Sequence, residues 1–83
     1  MQYRKVYVEM NLNVRPDGSI RPVSMRWIDG NRYSIDRLLY VTPAASLKVG
    51  GQGMRYTVMI EGKERWLFCE DGRWFVEAEV AES

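Results

Sequence analysis

Residues 5–15 read Lys-Val-Tyr-Val-Glu-Met-Asn-Leu-Asn-Val-Arg. Val6, Val8, Met10, Leu12 and Val14 fall on one side of an extended chain, with Lys5, Tyr7, Glu9, Asn11, Asn13 and Arg15 on the other. Successive side chains of a strand point to opposite faces, so this period of two predicts a strand with one buried face. Arg15-Pro-Asp-Gly-Ser19 supplies the turn chemistry that ends it. A second strand follows, with Val23, Met25 and Trp27 inward and Ser24 and Arg26 outward.

Outward from that stretch the chain reads as further hairpins. A three-residue loop at Asp29-Gly30-Asn31 pairs Trp27 with Tyr33 and Met25 with Ile35, which keeps the apolar sides together. The alternation slips at Asp36-Arg37, ahead of Leu38, Leu39 and Tyr40. Such a phase shift predicts a β-bulge, a device that curls a small sheet toward a barrel. Met54, Tyr56, Val58 and Ile60 mark a fourth strand. A three-residue loop at Gly62-Lys63-Glu64 then pairs Ile60 with Trp66 and Val58 with Phe68, and sets Glu61 opposite Arg65. A two-residue Asp71-Gly72 turn sets Glu70 opposite Arg73.

The last two strands are apolar on both faces, at Trp66-Leu67-Phe68-Cys69 and at Trp74-Phe75-Val76. A strand covered on both sides reads this way. One cover is the domain interior. The other is the loop at 42–53, the N-terminal segment or a second protein, which makes Trp66, Leu67 and Phe75 a candidate protein-interaction surface for an unidentified partner or a homodimer.

Thr42-Pro-Ala-Ala-Ser-Leu-Lys-Val-Gly-Gly-Gln-Gly53 is the main interruption in this β-pattern. Loops on a rigid scaffold carry function more often than strands do. Its glycines and Lys48 suggest an anion cradle, but no Gly-Lys-Ser/Thr occurs and no helical pattern follows, so turn glycines account for it better.

Composition narrows the chemistry. The 83 residues form one domain, 1–83, with ten aromatics and 46% apolar residues for a core. With no histidine and one cysteine, an intrachain disulfide, thiolate–imidazole zinc sites and every Ser–His or Cys–His nucleophile pair are excluded. No enzyme motif and no cofactor motif is present, so neither catalysis nor a cofactor is expected. Cys69, in an apolar strand, reads as a buried structural thiol. Glu70-Asp71 and Glu77/Glu79 read as solvated carboxylates. No apolar run reaches the ~18 residues of a membrane span and no signal-peptide core is present, so a cytoplasmic chain is expected.

Net charge is +1, unevenly spread: nine Lys/Arg stand against four Asp/Glu over residues 1–60, and three against seven over 61–83. Arg26, Arg32, Arg37, Lys48 and Arg55 form a candidate nucleic-acid surface, since small barrels bind single strands by aromatic stacking and cationic tracking of phosphates.

Trp27-x-Asp-Gly-x-x-Tyr-x-Ile-Asp-Arg-Leu38, Pro43-Ala-Ala-Ser-Leu-Lys-x-Gly-Gly51, Gly53-x-Arg-Tyr-Thr57 and Asp71-Gly-Arg-Trp-Phe-Val76 together resemble a group of short uncharacterised bacterial proteins. The likeness spans roughly residues 4–77 and implies a small bacterial β-domain, without assigning a role to any residue.

The expected fold is all-β: an antiparallel five- to six-stranded barrel of SH3-like topology, with OB-like and compact β-sandwich arrangements as alternatives. The expected core is Val6, Val8, Met10, Leu12, Met25, Trp27, Tyr33, Ile35, Tyr56, Val58, Ile60, Phe68 and Trp74. The expected function is a non-enzymatic binding module working through protein contacts or self-association, with nucleic-acid binding as the alternative.

Overall fold

The computed structural model describes residues 2–43 and 53–80. Its strands are β1 Gln2–Tyr7, β2 Glu9–Val14, β3 Ile20–Arg26, β4 Arg32–Ser34, β5 Arg37–Pro43, β6 Met54–Ile60, β7 Lys63–Glu70 and β8 Arg73–Val80, with no helix among the described residues. They form two antiparallel sheets, one of five strands in the order β1-β8-β7-β6-β5 and one of three in the order β2-β3-β4. The all-β, antiparallel class is as expected, but the sheets do not close into a barrel.

Six strand runs are present as expected, but two of them are shared between the sheets. The alternating run 5–15 bends at Val8: β1 pairs with β8, while β2 pairs with β3. Val8 N–H donates to the Trp74 carbonyl at 3.0 Å, which pins this corner. The second bend explains the phase slip at Asp36. Ile35 N–H donates to Val23 O in the small sheet, and the next amide, Asp36 N–H, donates to Met59 O in the large one. What reads as one irregular strand is a chain changing sheets. A bulge does occur in β5, between Leu38 and Tyr40, two residues beyond the slip.

The core lies between the sheets. Met25 of the small sheet packs with Tyr56, Val58, Ile60, Leu67 and Trp74 of the large one, and Val8, Met10, Leu12, Trp27, Tyr33 and Ile35 close around them half-buried. Tyr56 and Trp74 meet with ring centroids 4.7 Å apart. Full burial of a side chain such as Leu67 or Val58 contributes about 1.5–3 kcal/mol.

Three registers differ from expectation. The Ile28-Asp29-Gly30 loop is three residues long but begins one residue early, so Met25, not Trp27, lies opposite Tyr33; both stay on the inner side. An irregularity opposite Asn11/Leu12 leaves Val23 out of register and exposed. The third difference reverses faces. Glu61 and Gly62 form a two-residue turn with φ of 51° and 75°, pairing Ile60 with Lys63 and Tyr56 with Leu67. Leu67 therefore points inward, and Trp66 and Phe68 point to the outer face. Glu61 is not opposite Arg65, whose partner is Val58. The last hairpin matches expectation, with Glu70 opposite Arg73.

Candidate functional site

The outer face of the large sheet can be read rung by rung, because directly paired residues share a face. One rung runs Thr42–Arg55–Phe68–Phe75–Tyr7 across all five strands. The neighbouring rung runs Tyr40–Thr57–Trp66 across β5, β6 and β7. Phe68 and Phe75 stack with centroids 5.3 Å apart, and Tyr7 meets Phe75 edge-on at 5.7 Å. Cations lie over the rings: Lys5 over Phe75 at 4.9 Å, Arg55 over Trp66 at 4.3 Å and Arg73 over Tyr7 at 3.8 Å. Lys5 also bridges to Glu70 at 3.1 Å.

This packing corrects the expected interaction surface. Leu67 and Phe75 are both 0% exposed, Leu67 in the core and Phe75 beneath Tyr7 and Lys5. Of the three residues, Trp66 alone reaches the surface, at 46% exposure. The double-sided apolar pattern of β7 and β8 thus records two covered faces.

The expected cationic set is divided. Arg26 and Arg32 lie opposite each other on the outer side of the small sheet, where Arg26 also faces Glu9 at 3.7 Å. Arg37 and Arg55 stand on the outer side of the large sheet, across the core from them. Lys48 lies outside the described residues, as does most of the 42–53 loop.

Three buried side-chain atoms among the described residues lack a hydrogen-bond partner: Thr42 Oγ1, Arg55 Nε and Thr57 Oγ1. All three belong to the two rungs of the outer face. A buried polar atom left unpaired costs about 1–3 kcal/mol.

A cavity of about 760 Å³ forms a slot between β7 and β8. The two strands pair only over Phe68–Glu70 and Arg73–Phe75; beyond those pairs β7 stays with β6 and β8 with β1. The sheet opens there. Backbone hydrogen bonds alternate sides along an antiparallel strand, and Glu70 and Phe68 direct theirs toward β8. The amides and carbonyls of Trp66 and Glu64 therefore face the slot, while those of Arg65 and Leu67 bond β6. Met25, Trp27 and Tyr33 of the small sheet form its floor, and Tyr3 and Val76 line the β1–β8 side. Lys63 and Arg65 stand inward beside Ile60 and Val58 and yet are exposed, because the slot leaves that part of the inner face uncovered. Sequence reading missed Tyr3, Glu64 and Arg65 as slot residues. One signal was present: Lys63-Glu64-Arg65 is charged on both faces in the first half of a strand whose second half is apolar on both.

Cys69 is half-buried, and burial pushes its thiol above the ordinary range; the amide of Gly72 opposes this weakly. Among the described residues no group of three or more His, Cys, Asp or Glu is placed to hold a metal ion. Among them, too, no helix is long and apolar enough to cross a membrane.

Fold and cavity together define a small two-sheet β-domain with an interstrand slot. Comparison with protein-family models, curated proteins and solved structures finds no match to this chain.

Proposed function

We propose that this protein is a non-enzymatic binding module whose slot between β7 and β8 receives an extended segment of another polypeptide. The observation that carries this reading is the interrupted β7–β8 ladder above an aromatic floor. Backbone groups of Glu64 and Trp66 offer main-chain hydrogen bonds to an added strand, and the floor of Trp27 and Tyr33 offers pockets for alternate side chains. Acidic side chains opposite Lys63 and Arg65 complement their charge. The nucleic-acid reading is weakened by the division of Arg26 and Arg32 from Arg37 and Arg55, since phosphate tracking requires cations along one groove. Anisotropy with labelled oligonucleotides at low salt is expected to show no binding that falls steeply as salt rises.

The test is selection of linear peptides against the immobilised protein, followed by binding to Glu64→Pro. The Glu64 amide faces the slot, so proline there removes an edge donor and fills the entrance without breaking a β6–β7 bond. Selected peptides should lose affinity at least tenfold for Glu64→Pro, and lose it again when N-methylated at alternate residues. Peptides that bind both proteins equally, or tolerate N-methylation throughout, would refute strand addition.

A further inference from the structure

We infer that Thr42, Arg55 and Thr57 form an oxyanion-binding site on the outer face of the large sheet, separate from the slot. These residues supply every partnerless buried side-chain polar atom found among the described residues. They are neighbours: Thr42 lies directly opposite Arg55, and Thr57 is two residues along on the same face. Chance would scatter such defects around the molecule.

The chemistry fixes the kind of ligand. Arg55 Nε can only donate a hydrogen bond, so its missing partner is an acceptor. Threonine hydroxyls can donate to the same acceptor. A guanidinium with two hydroxyls from adjacent strands offers at least three donors, and phosphate or sulfate has an oxygen for each of them where a carboxylate has only two oxygens. Tyr40 and Trp66 flank Thr57 on its rung, 51% and 46% exposed, and give the site aromatic walls. The Arg55 guanidinium lies over Trp66, 4.3 Å from the ring centroid, so the cation of the site stands against one of these walls.

The experiment is thermal unfolding of the whole chain in potassium phosphate, potassium sulfate and potassium acetate at matched ionic strength. Wild type, Thr57→Val and Arg55→Met are compared. Phosphate also stabilises proteins nonspecifically through exclusion from their surfaces, and the variants measure that background. Wild type is expected to gain a melting-temperature shift above the variants at millimolar phosphate, growing with the logarithm of concentration as specific binding requires. Acetate should give no such excess, and sulfate should follow phosphate. Without anion, Thr57→Val should melt at or above the wild-type temperature, because a methyl replaces an unpaired hydroxyl. Identical anion responses in all three proteins would overturn the site. So would a lower melting temperature for Thr57→Val without anion, which would reveal an internal partner for the hydroxyl. Should a variant fail to fold, the Arg55 Nε–H resonance of the wild type decides: it moves saturably with phosphate if the site exists and stays still if it does not.

Discussion

At the scale of single residues, burial separates side chains that look alike in sequence. Leu67 and Trp66 are adjacent apolar residues, but one is sealed in the core and the other half-exposed under Arg55. Leu67→Ala should therefore cost about 2–5 kcal/mol in urea-induced unfolding, the range for a fully buried large-to-small change. Trp66→Ala should cost less than Leu67→Ala, although it removes more atoms. Phe75→Ala, at the centre of the outer aromatic rung, should cost about 3–5 kcal/mol. Two weak acids, buried Tyr56 and half-buried Cys69, give the chain a pH response. Burial raises both the Tyr56 hydroxyl and the Cys69 thiol, and a Cys69 thiolate would raise Tyr56 further. The folded chain holds these protons more tightly than the unfolded one, so the associated stability is intact below the unfolded values of about 8.5 and 10. It is lost as pH rises from there through the folded values. Unfolding midpoints in urea should accordingly hold from neutral pH to about pH 8.5 and decline above it. The Cys69 thiol should react with a disulfide reagent at pH 8 more slowly than a free thiol does.

Among elements, turns set register and register sets faces. Asp71-Gly72 is a familiar two-residue hairpin signal, and the pairing it implies is the pairing observed. Glu61-Gly62 adopts the same left-handed conformation, with φ of 51° and 75°. Glutamate is an unusual residue there, so the sequence places the loop later, and the shift of three in pairing turns Leu67 outward on paper. That single turn accounts for misplacing Leu67 on a surface and Trp66 in line with the core. The bend at Val8 was equally hard to read, since side chains keep alternating through it, whereas the bend at Ile35–Asp36 did leave a slip in the alternation, which reads as a bulge within one strand. The strands themselves were legible because period two and glycine-bearing turns are local properties. The slot was not, because a ladder that stops early depends on how β8 pairs with β1 and β7 with β6. Close approach of elements also makes a prediction. A Cβ at Gly53 would strike the Cys69 carbonyl oxygen, whereas one at Gly18 would meet nothing within 4 Å. Backbone cannot swing aside as a side chain can. Gly53→Ala should destabilise by more than Gly18→Ala, even though Gly18 has φ of 87° and Gly53 has no such strain. Paired denaturation curves would show the order.

For the whole molecule, the slot divides β7 into two chemically different edges, and hydrogen exchange can read both. Arg65 and Leu67 pair with Val58 and Tyr56 of β6. Their amides exchange only when that ladder opens, which in a core strand approaches global unfolding. Glu64 and Trp66 direct their amides the other way, toward the gap where β8 has turned to β1. Native-state exchange should therefore alternate along β7, fast at Glu64 and Trp66 and slow at Arg65 and Leu67. At Phe68 the alternation should end, because its amide faces Phe75 across the restored ladder. Uniform protection from Lys63 to Glu70 would mean that β7 and β8 zip together in solution, leaving no edge for an added strand. If the alternation is present, a bound peptide has a defined effect: it should slow Glu64 and Trp66 selectively while leaving Arg65 and Leu67 unchanged. A ligand held by side chains alone on the Trp27–Tyr33 floor would shift resonances around the slot without protecting either edge amide. Exchange thus separates a slot used as a strand site from one used only as an aromatic pocket.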